Sequence, residues 1–210
     1  MKLPFRPALL ATMCLAACGA HAGALTVQVS DSAGKPLADA VVVVDAEGGL
    51  AMPRVLTPGQ IEQRGLKFLP LVTVIQTGSR VSFPNNDKVK HHIYSFSPAK
   101  KFDQKLYSGV TAAPQVFEKA GLVVLGCNIH DRMVSYVKVV DSPYFAKTDA
   151  AGVARIEVPA AGKYTVTAWH YQMSGAIAEQ SVALRSEAPS ALSFKLPLKP
   201  PPIGADAPSN

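Results

Sequence analysis

The sequence predicts an all-β protein, and three features of the chain indicate this. Short apolar or alternating runs recur throughout, as in buried or half-buried strands. Clusters of Gly, Pro, Asp and Ser separate these runs and are typical of turns. No stretch has a convincing helical periodicity. The chain has 210 residues, of which 48% are hydrophobic, enough for one or two modest β-sandwiches with real cores.

The chain opens with two predicted strands on either side of a turn. Residues 25–30 alternate between apolar and polar side chains, and residues 40–44 are fully apolar. Residues 31–36 contain the Asp, Ser, Gly and Pro of a turn cluster. Residues 47–58 are rich in Gly and Pro and are predicted to be a linker.

The central part of the chain contains a second series of apolar runs. Its predicted strands are residues 66–68, 71–76, 80–83, 93–96, 122–125 and 134–140, and residues 115–118 begin the approach to the last two. Residues 97–114, with scattered lysines, are predicted to be a long connection, and Lys119-Ala120-Gly121 a hairpin-like turn.

The sequence pattern of the C-terminal part is similar to that of the opening strands. The further predicted strands are residues 154–158, 164–169, 177–184 and 191–196, with a turn at residues 149–152. Residues 199–210 contain three consecutive prolines and are predicted to be a disordered tail.

The first 22 residues have the features of an export signal. Lys2 and Arg6 precede an apolar stretch at residues 8–17, and Ala20-His21-Ala22 is a small-x-small cleavage site. Residues 15–18 also resemble a bacterial lipobox, in which Cys18 would carry a lipid anchor. Both alternatives predict export, and the expected location is the periplasm.

Composition excludes several other classes of protein. The formal net charge is +6, or +4 without Lys2 and Arg6, and no long basic run indicates nucleic-acid binding. No apolar stretch after the signal is long enough for a transmembrane helix. Cleavage after Ala22 would leave Cys127 as the single cysteine, which excludes a disulfide framework and a four-cysteine zinc site.

Cys127, His130 and Met133 supply a thiolate, an imidazole and a thioether, with two residues between each pair, directly after a predicted strand. Copper in electron-transfer sites is bound by two His and one Cys with a weak axial Met. His91 and His92 are the candidates for the second imidazole. Because successive residues of a strand face opposite sides, both histidines are not expected to bind one metal.

This motif, together with Asn85-Asn86 before the histidine pair, resembles the cupredoxins of the plastocyanin and amicyanin group. The resemblance implies a Greek-key β-sandwich with one type 1 copper bound by His91, Cys127, His130 and Met133. It favours His91 over His92, where the family usually has Asn. The Pro common between Cys and His in this group is absent here, where residues 128 and 129 are Asn and Ile.

The segments DSAGKPLADAVVVV and TDAAGVARIEVPAAGKYTVTAWH resemble the carboxypeptidase regulatory-like β-sandwich. The resemblance implies a small β-domain split around the copper domain. The expected division, after the signal at 1–22, is residues 23–53 and 143–198 for the split domain, 54–142 for the copper domain and 199–210 for the tail. A single larger sandwich with extra strands is the alternative.

The expected function is single-electron transfer between redox partners, without enzymatic activity. The alternatives are copper delivery without redox cycling, and a recognition module stabilised by its metal. Lys88, Lys90, Lys100, Lys101 and Lys105 indicate either a solvated face or a docking surface for an acidic partner. A resemblance to proteins of methylamine utilisation suggests a periplasmic dehydrogenase as that partner, and a cytochrome is the alternative. No role is assigned to His92 or His170.

Overall fold

The computed structural model describes residues 23–48, 53–107, 113–158, 162–185 and 190–199. The predicted signal, the lipobox cysteine and nearly all of the predicted tail lie outside these residues. Within them, no helix is long and apolar enough to cross a membrane.

The described residues form seventeen β-strands and contain no helix, which confirms the all-β prediction. The strands are β1 Gly23–Asp31, β2 Val41–Ala46, β3 Gly59–Gln60, β4 Glu62–Gln63, β5 Phe68–Leu69, β6 Val72–Gln76, β7 Arg80–Ser82, β8 His91–Ser97, β9 Lys100–Tyr107, β10 Gln115–Val116, β11 Gly121–Cys127, β12 Val134–Val140, β13 Phe145–Lys147, β14 Val153–Val158, β15 Gly162–Trp169, β16 Ala178–Leu184 and β17 Ser190–Leu196.

The strands at the two ends of the chain form one sandwich. One sheet has the order β14-β1-β17 and the other β13-β2-β15-β16. The alternation in β1 places Leu25, Val27 and Val29 inside, where none is exposed to solvent. The N-terminal strands therefore pair with strands more than 100 residues further along the chain, for example Leu25 with Ile156.

The central strands form a second sandwich with its own core. A five-stranded sheet of order β6-β12-β11-β8-β9 lies opposite the small sheet β10-β7-β3. The short β4–β5 hairpin completes this part of the molecule. Its buried side chains form one cluster, which includes Phe83, Phe117, Leu125 and Val137.

The outer face of the five-stranded sheet contacts the first sandwich. Val72 and Val140 are buried with the core of that sandwich. The Tyr136 ring lies 6.5 Å from the Trp169 ring, and the Lys138 ammonium lies 5.6 Å from the same ring. Burial lowers the pKa of Lys138. An aromatic and aliphatic interface thus joins the two sandwiches.

Three local predictions were wrong. Residues 97–114 are not one long connection, because β9 spans Lys100–Tyr107 and its residues 101–105 alternate exposed charged side chains with half-buried ones. The strand expected at residues 66–68 begins only at Phe68, after a turn. Lys119 and Ala120 do not form a hairpin, since β10 pairs with β7 and β11 pairs with β12.

His170 gives the first sandwich a predicted dependence on pH. His170 is 4% exposed, and its Nδ1 accepts a hydrogen bond from the Gln172 amide at 3.3 Å. Burial lowers the pKa of His170, although the Ala38 backbone and Asp39 act in the opposite direction. The unfolded chain therefore binds this proton more readily than the folded protein does.

We expect the free energy of unfolding to fall as the pH drops below the unfolded histidine value of about 6.5, by at most about 1.4 kcal/mol per pH unit for one proton. The stabilisation is fully present above that pH. Denaturant unfolding of the metal-free protein at pH 7 and pH 5 measures the effect, with His170→Gln as the control. An equal pH dependence in the two proteins would contradict this assignment.

Candidate metal centre

A tight loop between β11 and β12 carries Cys127, His130 and Met133. The alternation along β11 turns Val123, Leu125 and Cys127 towards the core. The loop closes on itself, because the Cys127 amide donates to the Met133 carbonyl at 3.3 Å and the Met133 amide donates to the His130 carbonyl at 2.9 Å. The two-residue spacings noted in the sequence thus keep all three side chains on one short loop.

His91 reaches the same place from the neighbouring strand. It is the first residue of β8, and Ile93 of that strand pairs with Cys127. His91 is fully buried. The next side chain, His92, is part-exposed and hydrogen-bonds with Asp103. The structure therefore brings His91, and not His92, to Cys127 and His130.

The three ligand atoms lie at distances that suit one metal ion. Cys127 Sγ is 3.9 Å from His91 Nδ1 and 3.7 Å from His130 Nδ1, and all three atoms lie within 4.8 Å of one another. With bond lengths of about 2.3 Å to sulfur and about 2.0 Å to nitrogen, a trigonal site requires a sulfur–nitrogen separation of roughly 3.7 Å. The donor set and its spacing therefore fit a metal, and a thiolate with two imidazoles favours copper.

Met133 is buried in the same cluster of side chains as Cys127, with 1% of its surface exposed. A thioether here is a soft and weak donor of the kind that occupies the axial position of electron-transfer copper sites. Its assignment as the fourth ligand stays a prediction.

Cys127, His91 and Asp87 also form a chain of contacts that resembles a cysteine nucleophile with its base. A nucleophile must reach its substrate, and such cysteines lie in partly exposed positions. Here Cys127 is only 3% exposed and His91 is fully buried, while His130 lies against the thiol from another side. The arrangement suits metal binding better than covalent catalysis.

Gly126 leaves room for an aromatic side chain outside the cysteine. The Tyr94 ring lies against it, and a Cβ at this position would be 2.8 Å from the ring. Gly126 and Tyr94 are also directly paired between β11 and β8. A bulky aromatic therefore covers the backbone next to Cys127.

The outer side of the centre opens at His130, which is half-buried. A surface cavity of about 390 Å³ lies beside it, and its walls are Gly65, Leu66, Lys67, His130, Asp131 and Arg132. Exposed apolar side chains occur on the loops of this region, with Leu66 47% and Ile129 49% exposed. His130 is thus the ligand candidate that reaches the protein surface.

The lysines of the predicted docking surface fall into two groups. Lys88 and Lys90 are exposed in the segment that leads into His91. Lys100 and Lys101 pair with Ser97 and Phe96 at the far end of β8. At about 3.4 Å per residue, this end of the strand is roughly 20 Å from His91. Lys105 is exposed on β9 between Gln104 and Tyr107, which pair with Ile93 and His91, so it belongs with the first group. Only Lys100 and Lys101 are distant from the candidate centre.

Comparison with known proteins gives partial likenesses to copper proteins. A purple cupredoxin from Nitrosopumilus maritimus is 26% identical over 39% of this chain and 99% of its own, with a TM-score of 0.35. An amicyanin variant with Cu(I) is 16% identical over 47% of this chain and 98% of its own, with a TM-score of 0.37. A copper-containing nitrite reductase from Thermus scotoductus is 22% identical over 54% of this chain and 28% of its own, also at 0.37. No protein-family model and no curated protein matches the chain.

Sequence reasoning missed one polar residue of the site. The Asp87 carboxylate lies 2.8 Å from His91 Nε2, on the side of the ring away from the thiol. Its position four residues before the histidine was the only available signal.

Proposed function

We propose that this protein binds one type 1 copper ion through His91, Cys127, His130 and Met133 and transfers single electrons between redox partners. The observation that supports this most is the separation of Cys127 Sγ from the two Nδ1 atoms, 3.9 and 3.7 Å, in a buried pocket. Copper bound there would supply one-electron chemistry by alternating between Cu(I) and Cu(II).

The protein contributes to this chemistry by fixing the positions of its donor groups. Cys127 and His91 lie at fixed positions on two paired strands, and the loop hydrogen bonds fix Met133 relative to Cys127. Burial keeps water away from the thiol. A donor set of this rigidity changes little between two oxidation states, and a small rearrangement favours fast electron exchange.

His130 is the proposed route to the partner. Its ring lies 5.0 Å from the ring of His91 and also lines the surface cavity. The cavity wall carries Lys67 and Arg132 against Asp131, and Lys88 and Lys90 are exposed in the segment before His91. This excess of cations favours a partner with an acidic surface. A periplasmic dehydrogenase or a cytochrome would be a partner of this kind, and the signal-like N-terminus supports an extracytoplasmic location.

A copper carrier is the competing proposal, because soft sulfur donors also suit Cu(I). The two proposals differ in the fate of the copper after reduction. A shuttle keeps its copper in both oxidation states, whereas a carrier gives Cu(I) to a thiol or Met-rich acceptor. The rigidity of the donor set favours the shuttle.

Stopped-flow oxidation of the reduced, copper-loaded protein by a small acidic redox protein tests this choice. We expect copper to be retained and the bimolecular rate to fall as ionic strength rises, because salt screens the attraction. Replacing Lys88 and Lys90 with Gln should weaken the salt dependence. The same change at Lys100 and Lys101 is the matched control and should have less effect.

Slow electron exchange together with prompt loss of copper to a competing thiol after reduction would favour the carrier. Equal effects of the two lysine pairs would show that the partner does not approach at His130.

A further inference from the structure

The Asp87 carboxylate joins the candidate metal centre to the turn between β4 and β5. Its Oδ2 lies 2.8 Å from His91 Nε2 and accepts a hydrogen bond from the Leu66 amide at 3.1 Å. Its Oδ1 accepts from the Gly65 amide at 2.6 Å. The carboxylate is therefore shared between a buried imidazole and a surface turn.

This contact determines which nitrogen of His91 carries the proton. A neutral imidazole carries one N–H, and a carboxylate can only accept a hydrogen bond. The proton therefore belongs on Nε2, and Nδ1 presents its lone pair towards Cys127 at 3.9 Å. A ligand histidine needs this tautomer if Nδ1 is to bind the metal.

Asp87 is itself held in place by the segment before His91. Its amide donates to Asn85 Oδ1 at 3.0 Å, and the Asn85 side chain donates to the carbonyls of Val89 and Tyr107, both at 2.9 Å. The carboxylate also accepts hydrogen bonds from the Gly65 and Leu66 amides at 2.6 and 3.1 Å, and an aspartate side chain is ordinarily ionised at neutral pH. The group is thus a fixed carboxylate at neutral pH.

We propose that Asp87 is the positioning residue of the centre: it fixes the tautomer and orientation of His91 and lowers the reduction potential of the copper bound there. The potential falls because a negative charge behind the imidazole favours the more highly charged metal ion. The inference rests on the proposed copper site. Asp87 also holds Leu66 in the wall of the cavity beside His130, because the same carboxylate accepts a hydrogen bond from the Leu66 amide.

The chain offers a matched control on the same strand. His92 hydrogen-bonds with Asp103, so a second carboxylate–histidine pair exists one residue further along β8. His92 is outside the group formed by His91, Cys127 and His130. Asp87→Asn and Asp103→Asn therefore remove the same charge from two neighbouring pairs, only one of which includes a ligand candidate.

Two measurements test the proposal. Nitrogen-15 NMR of the metal-free protein should show His91 protonated at Nε2, and Asp87→Ala should produce a mixture of tautomers. With copper, Asp87→Asn should lower the ratio of Cu(II) to Cu(I) affinity about tenfold, an upward shift in potential of about 59 mV. Asp103→Asn should leave the potential nearly unchanged.

His91 protonated at Nδ1 in the metal-free protein would overturn the positioning role, whether or not copper binds. Equal potentials for Asp87→Asn and Asp103→Asn would overturn the effect on the metal. If Asp87→Ala fails to fold, the tautomer of the wild-type protein and the potential of Asp87→Asn still decide the proposal. Absence of copper binding would refute the proposed function but leave the tautomer result valid.

Discussion

His91→Ala is expected to lower copper affinity by more than about 100-fold, the upper end of the loss caused by removing a hydrogen-bond partner of a ligand. His91 is fully buried, and its Nδ1 faces the thiol at 3.9 Å. Removing it takes away one of three strong donors, and His130 is then the only imidazole of the described residues left in this group. Competition titration with a copper chelator measures the loss.

His92→Ala is the matched control for this substitution. The ring contacts Asp103 and Tyr94 on the other face of the strand, so copper affinity should change by less than about 10-fold. The reverse outcome, with copper lost from His92→Ala and kept by His91→Ala, would move the ligand by one residue. It would also mean that the register of β8 is shifted, so that His92 and not His91 turns inward.

The parts of the fold that could be predicted were those decided by local pattern. Alternation in β1 and the apolar run at Val134–Val140 indicate strands whatever their partners. The sequence also indicates a turn at Lys119 and Ala120. Local pattern does not indicate, however, that the strands on either side of this turn belong to different sheets. The pairing of β1 with β14 and β17 depends on contacts more than 100 residues apart, so only a resemblance indicated it.

The same limit applied to the metal centre: features within one short segment could be predicted, and contacts between distant segments could not. Spacing alone brought Cys127, His130 and Met133 together, because they share one short loop. The choice between His91 and His92 depends on which face of β8 turns inward, and only the cupredoxin resemblance indicated His91. Asp87 was missed because its role depends on how the segment before His91 folds back against the β4–β5 turn.

Cys127→Ser should have the largest spectroscopic effect of any substitution in this chain. Charge transfer from a thiolate to Cu(II) gives intense visible absorption, and a serine oxygen at the same position gives none of comparable strength. Cys127 is the only cysteine among the described residues, so no other thiol there can replace it. The substitution changes one atom of a side chain that is 3% exposed, which leaves its packing nearly unaltered.

The visible spectrum during copper titration of the wild-type protein and of Cys127→Ser is therefore the most direct test of the proposed copper site. We expect one equivalent of Cu(II) to give an intense blue or green colour in the wild-type protein and none in Cys127→Ser. Colour that survives the substitution, or a wild-type protein that stays pale with copper bound, would contradict ligation by Cys127.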